Sequence, residues 1–259
     1  DYADAIALYS ESVAKRYIEM GVEPERVFVA LNSLDQTPIQ AARQPYVDNP
    51  ALIDAFRREQ NIEGSRVILF VSRTYPENRV DLLLRAVHAM SAEFPTATAV
   101  VIGAGPEDEH LRTLAKTLNL GERARFLGAI YDEEKIAPWF MAADCFCYPQ
   151  NIGLSILHAM GYGLPVVTSD RIDTQNPEID ALEHERNGLL YKHGSLDALV
   201  AAIRRLLTDD ALRTRLGANA HRTATQQYSI KRMADGLESA LRFAAARARD
   251  RRAGPTPRA

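Results

Sequence analysis

The amino-acid sequence predicts an α/β protein with a doubly wound parallel sheet, and three observations support this class. Short apolar runs alternate with longer segments that have helical spacing of apolar residues. The runs are apolar throughout, which is typical of strands covered by helices on both faces. The chain has 259 residues, of which 46% are hydrophobic, so it can bury a sizeable core. Right-handed crossovers would then give a Rossmann-like sheet.

The first part of the chain predicts a strand, a helix and a second strand. The strands are expected over residues 5–9 and 27–31, and the helix over residues 11–20 with Ser10 as its N-cap. The residues that follow, through Asp48, predict an irregular linker.

From residue 50 the alternation becomes regular. Strands are predicted over residues 67–71, 98–102, 124–127, 144–148, 166–168 and 188–191. Helices are predicted over residues 50–60, 80–94, 107–118, 133–142, 153–162, 195–207, 211–228 and 230–247, with a helical turn at 177–182.

These elements predict four parts of the chain. Residues 1–48 are expected to be the end of a first domain with its linker, and residues 49–228 the Rossmann-like domain. A C-terminal helix is expected over 229–247 and a disordered tail over 248–259. Because residue 1 leads directly into a strand, we expect the chain to be a piece of a longer protein.

Composition argues against several classes of function. The net charge of −3 gives no support for nucleic-acid binding or for general membrane binding. No apolar run is long enough for a transmembrane helix. Cys145 and Cys147 share one face of a strand and are interpreted as buried apolar residues, not as a disulfide or a metal site. Cysteine usage therefore predicts a cytoplasmic protein, and the cysteine spacing offers no metal site.

The segment from Asp144 to Thr168 predicts a strand, a turn with Gly153, an apolar helix and another strand. A glycine where a helix begins lets a phosphate approach free backbone N–H groups. In doubly wound sheets, ligands bind beyond the carboxyl ends of the strands. Four post-strand segments should therefore share one edge and form an anion site. They are residues 72–79, 103–106, 126–128 and 149–153.

The same segments resemble a known family. The stretches are Ser-Arg-Thr-Tyr-Pro-Glu-Asn-Arg at 72–79, Val-Ile-Gly-Ala-Gly-Pro at 101–106, Arg-Phe-Leu-Gly at 125–128, and residues 143–167. Together they resemble the C-terminal, donor-binding half of retaining glycosyltransferases with the GT-B fold, in particular glycosyltransferase family 4. The resemblance covers about residues 5–225.

The resemblance implies two Rossmann-like domains that face each other across a cleft, with this chain holding the second. It implies transfer of a sugar, with retention, from a nucleotide-diphosphate sugar to a glycan or lipid-linked acceptor. The acceptor would be held by the N-terminal domain, most of which the chain lacks, so the fragment alone is expected to be inactive. The resemblance also implies bacterial-type glycan or surface polysaccharide synthesis without a metal or cofactor, with membrane contact only at the periphery of the inner membrane.

The resemblance places Arg73 at the donor phosphates, where a guanidinium can bind a diphosphate through paired hydrogen bonds. The family has a lysine five residues further on, where this chain has Asn78 and, beside it, Arg79. Arg79 either supplies the lost charge or points into solvent. Gly103 and Gly105 either allow close approach of the donor or form an ordinary turn.

The helix after the turn carries the next candidates. Gly153, Leu154 and Ser155 would present N–H groups to the leaving diphosphate, and the alternative is a helix packed under the sheet edge. The family has two glutamates eight positions apart here, whereas this chain has Gln150 and His158. Both can still hydrogen-bond sugar or ribose hydroxyls, and a buried histidine in an apolar helix is the alternative for His158.

The remaining candidates lie nearby. Asn151 is a polar residue at the mouth, and Glu178 would contact the donor or only stabilise a helix N-terminus. Phe126 and Leu127 would hold the nucleobase through backbone groups. Arg73, Gly153 and Glu178 are the residues to which the resemblance gives a catalytic role.

Two further functions stay open on sequence grounds. Asn78, Gln150 and His158 replace charged family residues, which is consistent with a degenerate donor-binding or partner-docking domain without activity of its own. A nucleotide-sugar epimerase or a phosphorylase would have the same fold, although no pattern for pyridoxal phosphate attachment is present.

Overall fold

A computed structural model of the chain describes residues 3–253. Six parallel strands form the main sheet in the order β5-β4-β3-β6-β7-β8, and two parallel strands, β1 and β2, form a small second sheet. The strands are β1 Ile6–Leu8, β2 Val27–Val29, β3 Val67–Val71, β4 Thr98–Ile102, β5 Ala124–Gly128, β6 Cys145–Cys147, β7 Val166–Ser169 and β8 Gly188–Tyr191. The predicted α/β class with a doubly wound parallel sheet is confirmed.

Ten α-helices are found in the described residues. They are α1 Glu11–Glu19, α2 Gln36–Asp48, α3 Ala51–Glu59, α4 Val80–Ala89, α5 Asp108–Thr117, α6 Glu133–Ala142, α7 Ser155–Gly161, α8 Leu196–Thr208, α9 Asp210–Arg222 and α10 Ile230–Ala253. Nearly all residues of the central strands are buried, which explains their uniformly apolar sequences. Cys145 and Cys147 are free and buried, as predicted.

The strand order reverses between β3 and β6 at the centre of the sheet. Strands β4 and β5 follow β3 towards one edge, whereas β7 and β8 follow β6 towards the other. The connections after β3 and β6 therefore diverge and leave a crevice beyond their carboxyl ends. This crevice is where a ligand site is expected.

The prediction of an irregular linker through Asp48 is wrong, because helix α2 occupies Gln36–Asp48. Asp35 caps the helix by accepting a hydrogen bond from the Thr37 backbone N–H at 2.9 Å. Pro38 lies in the first turn, where its missing N–H costs nothing. Pro45 lies near the end, and Ile39 is buried against the main core.

The ends of several helices also differ from the predicted boundaries. Helix α4 ends at Ala89 rather than at residue 94, and α7 begins at Ser155 rather than at Gly153. A π-helical turn, Thr223–Gln227, follows α9. Helix α10 continues to Ala253, so residues 248–253 of the predicted disordered tail are helical, and residues 254–259 lie outside the described residues.

The last helix packs on the small sheet. The rings of Phe28 and Phe243 lie 5.4 Å apart, and Arg251 pairs with Asp4. A Cβ added at Gly236 would overlap the Val29 carbonyl oxygen, so α10 and β2 approach each other closely. In the part of the chain that the structure describes, no helix is long and apolar enough to cross a membrane.

Candidate functional site

A cavity of about 310 Å³ opens at the carboxyl ends of β3, β4 and β5, beside the first turn of α7. It adjoins the crevice beyond β3 and β6, because Ser155 and His158 follow β6, and it extends from there over the ends of β4 and β5. Its lining comes from four segments along this edge, which contribute Ser72 and Arg73, Gly103, Tyr131 and Glu133, and Ser155 and His158. Four of the predicted site residues are thus brought together: Arg73, Gly103, Ser155 and His158.

Arg73 follows strand β3, and its side chain is exposed at the cavity. Its Nη1 donates a hydrogen bond to the Tyr75 hydroxyl oxygen at 3.2 Å. This hydrogen bond raises the pKa of Arg73 above its ordinary value, so the guanidinium is charged at any working pH. Arg73 pairs with no carboxylate of the described residues and is free to bind an anion.

Asn78 and Arg79 lie beside this loop without lining the cavity. Asn78 is buried, and its side chain donates to the Arg73 carbonyl oxygen at 2.6 Å and accepts from the Asn151 side chain at 3.2 Å. Arg79 forms two hydrogen bonds to the Asp81 carboxylate, at 2.8 and 3.1 Å. Asn78 therefore braces the Arg73 loop, while the charge of Arg79 is satisfied by Asp81.

The two glycines after β4 are required by packing. Gly103 has a φ of 149°, and a Cβ there would overlap the Ser72 carbonyl oxygen. A Cβ at Gly105 would lie 2.8 Å from the Thr74 carbonyl oxygen. Both glycines therefore allow the loops after β3 and β4 to touch. Of the two, Gly103 also forms part of the cavity wall.

Gly153 differs from these glycines. A Cβ there would find only the Asn176 side chain, at 3.5 Å, which is an ordinary van der Waals contact. Its φ also lies outside the left-handed region. Gly153 and Leu154 precede α7, and within the described chain their backbone N–H groups donate no hydrogen bond. The fold itself thus does not require glycine at this position.

His158 lies one turn into α7 and lines the cavity together with Glu133 at the start of α6. The His158 Nε2 lies 2.9 Å from the Glu133 Oε1, and the Tyr162 hydroxyl donates to the same oxygen. Burial raises the pKa of Glu133, but the hydrogen bonds from His158 and Tyr162 outweigh it and leave the pKa below its ordinary value. Glu133 is therefore an ionised carboxylate at the cavity.

Other predicted residues lie away from the cavity. Glu178 is buried and accepts a hydrogen bond from the Asn32 side chain, in the segment that follows β2. The Phe126 ring faces Arg112, whose guanidinium lies 4.8 Å from its centre, and Leu127 packs on the core. Gln150, in the turn after β6, does not line the cavity, and Asn151 bonds Asn78 and Asn176.

Sequence reasoning missed the segment after β5, where Ala129, Ile130 and Tyr131 form a cavity wall. It also missed Glu133. An acidic residue at the start of a helix is common, so its type gave no signal. The position of Glu133 in the sequence did offer a signal, because every connection that follows a strand of this sheet reaches the same edge.

The comparison with known proteins agrees with this geometry. The profile of the family described as "Glycosyl transferases group 1" matches residues 53–223. The chain is 24% identical over 220 residues to a GDP-mannose-dependent α-(1-6)-phosphatidylinositol monomannoside mannosyltransferase of Mycobacterium tuberculosis, covering 81% of this chain and 56% of the relative. It is 26% identical over 235 residues to the lipopolysaccharide core biosynthesis glycosyltransferase LpsE of Rhizobium meliloti, covering 90% and 62%. The chain thus spans only part of the length of its curated relatives.

Among solved structures, the chain is similar to HepE of Anabaena in complex with UDP and glucose. The TM-score is 0.74 at 22% identity, and the match covers 93% of this chain and 63% of that protein. At this identity the likeness establishes the fold, which is that of the C-terminal half of a GT-B glycosyltransferase. Since the family profile spans the strands and helices that build the cavity, the chain belongs to the glycosyl transferases group 1 family.

Proposed function

We propose that the cavity at the carboxyl ends of β3–β5 binds the nucleotide diphosphate of a sugar donor, and that the protein transfers this sugar to a glycan or lipid-linked acceptor with retention. The observation that carries the proposal is the position of Arg73. It is a permanent cation without a carboxylate partner in the described residues, and it lines a cavity at the edge where such sheets bind nucleotides.

The relatives support a nucleotide-sugar donor. One is named as GDP-mannose-dependent, and HepE was solved with UDP and glucose. The cavity is large enough for part of such a donor, and Arg73 matches the charge of its diphosphate. The family relationship supports transfer to glycans or lipid-linked glycans. The predicted independence from metal ions stays a prediction.

Isothermal titration of the purified protein with UDP, GDP and ADP tests donor binding. We expect at least one diphosphate to bind, and we expect Arg73→Ala to weaken it about 10- to 100-fold because a charge-assisted hydrogen bond is lost. Arg58→Ala is the matched control, since Arg58 is an exposed residue of α3 away from the cavity. Absence of binding, or equal affinity of the two variants, would contradict the proposal.

A donor-binding domain without activity of its own is the second candidate. It is favoured by Asn78, which is buried where the family has a lysine, and by Arg79, whose charge Asp81 satisfies. Because the chain without an acceptor domain is expected to be inactive, the longest natural form of the protein is incubated with nucleotide sugars and candidate acceptors. A binding domain would bind the diphosphate and form no glycoside, whereas a transferase would form one. The anomeric configuration of any product, read by NMR, tests retention.

A further inference from the structure

The cavity has a second charged group besides Arg73. Among the cavity-lining residues that the structure describes, Glu133 is the one carboxylate. A cation attracts a diphosphate and a carboxylate repels it, so Arg73 favours the anionic part of a ligand and Glu133 favours its neutral part. Groups that donate hydrogen bonds, such as hydroxyls, are favoured beside Glu133.

The Glu133 side chain is held in place by aromatic packing. Its Oε1 accepts from the His158 ring and from the Tyr162 hydroxyl. The Phe140 ring stacks on Tyr162 at 4.6 Å with an interplanar angle of 7°, and it lies 4.5 Å from the His158 ring. Both donors are thus fixed by their own contacts, and the carboxylate is preorganised before a ligand arrives.

Half of the carboxylate is left unused. Both hydrogen bonds go to Oε1, while Oε2 accepts none from the described residues and is not buried. The side chain of Glu133 retains 27% exposure, although it lies between two helices. A carboxylate that only joined α6 to α7 would have no need of this open oxygen, which can accept two further hydrogen bonds.

We propose that Glu133, positioned by His158 and Tyr162, binds a pair of hydroxyl groups on one of the two rings that flank the diphosphate of the donor, which are the ribose and the transferred sugar. This inference rests on the proposed function, since it assumes that a nucleotide-diphosphate donor occupies the cavity. His158 is a positioning residue in this arrangement. His158 stands in α7 where the resemblance places a glutamate, and it holds the carboxylate of Glu133 in α6 instead.

The test measures dissociation constants of UDP, 2′-deoxy-UDP, 3′-deoxy-UDP and UDP-glucose, with the corresponding guanosine compounds and GDP-mannose, by isothermal titration. The wild type is compared with Glu133→Ala, with Glu133→Gln, which keeps the length of the side chain, and with Glu134→Ala as control. Glu134 is the neighbouring acidic residue of α6, is exposed and does not line the cavity. Thermal unfolding establishes which variants are folded.

If the hydroxyl pair belongs to the ribose, the wild type loses about tenfold or more in affinity for the deoxy compounds, and this discrimination falls below threefold in the Glu133 variants. If it belongs to the transferred sugar, Glu133→Ala weakens only the nucleotide sugar. Binding of all probes with unchanged affinities in folded Glu133 variants overturns the inference alone. Failure of the wild type to bind any diphosphate overturns the proposed function, and the inference with it.

Discussion

Gly153 is a glycine that the packing of the protein does not demand. Its φ is not in the left-handed region, and a Cβ would only touch Asn176. We predict that Gly153→Ala folds with a free energy of unfolding within about 0.5 kcal/mol of the wild type. Gly153 does not itself line the cavity, but its N–H group, unbonded within residues 3–253, precedes Ser155, which does. An added methyl group would crowd this N–H group, so if the proposed diphosphate reaches it we expect the affinity for UDP or GDP to fall at least tenfold.

Gly103→Ala is the contrasting variant. The backbone of Gly103 has a positive φ, and a Cβ there would overlap the Ser72 carbonyl oxygen. We therefore expect Gly103→Ala to lower the free energy of unfolding. Urea unfolding and isothermal titration on both variants separate the two roles. Unchanged nucleotide affinity in a folded Gly153→Ala protein would show that the glycine serves no ligand.

A pH dependence follows from the contact between His158 and Glu133. In the wild type the lowered pKa keeps Glu133 ionised above about pH 4.5, and ionisation is lost only as pH falls through that lowered pKa. In His158→Ala, one of the hydrogen bonds that lower the pKa is removed while burial still raises it. We therefore expect the pKa to rise and UDP binding to weaken at a higher pH than in the wild type.

The measurement is the ratio of the two dissociation constants for UDP between pH 4.5 and 8, since titration of the nucleotide itself then cancels. His221→Ala serves as control, because His221 is half-buried in another cleft and bonds Gln40. A ratio that stays constant across the whole range would rule out the link between His158 and the charge of Glu133.

Among the elements, strands were easier to predict than helix boundaries. The central strands are buried on both faces, and their uniformly apolar sequences predict this burial directly. The sequence of helix α2 gives only a weak helical pattern, because it contains Pro38 and Pro45 and its apolar face is short. Its stability comes from packing, since Ile39 is buried and Gln40 and Arg43 donate hydrogen bonds to backbone oxygens around the end of α7.

The contact between α10 and β2 depends on Gly236. An alanine there gains about 1 kcal/mol of helix propensity, but its Cβ meets backbone atoms of Val29 and Ala30 that cannot move aside. We predict that Gly236→Ala lowers the free energy of unfolding by about 1–2 kcal/mol. Urea unfolding beside Ser239→Ala, on the exposed face of α10, tests this. An equally stable Gly236→Ala protein would mean that the helix and strand separate at little cost.

At the scale of the whole molecule, the edge that holds the cavity was predictable, and the set of side chains in it was only partly so. Parallel strands bring their carboxyl ends together whatever the details of packing, which is why Arg73, Gly103, Ser155 and His158 were brought together as expected. The partner of His158 lies 25 residues away, on another helix. No spacing rule along one element could have indicated it.

Along residues 3–253, the polypeptide makes two passages between the small sheet and the large one. One leaves β2 around Asn32 and Ser33, and the other enters α10 at Ser229. The two passages touch, since the Ser33 hydroxyl donates to the Ser229 carbonyl oxygen at 3.4 Å. Two adjacent passages define a single pivot, about which β1, β2, α1 and α10 would swing as one body. Such a swing would break the hydrogen bond from the Ser12 backbone N–H in α1 to the Asp180 carboxylate, at 2.9 Å, which lies outside the two passages and would hold the two parts together.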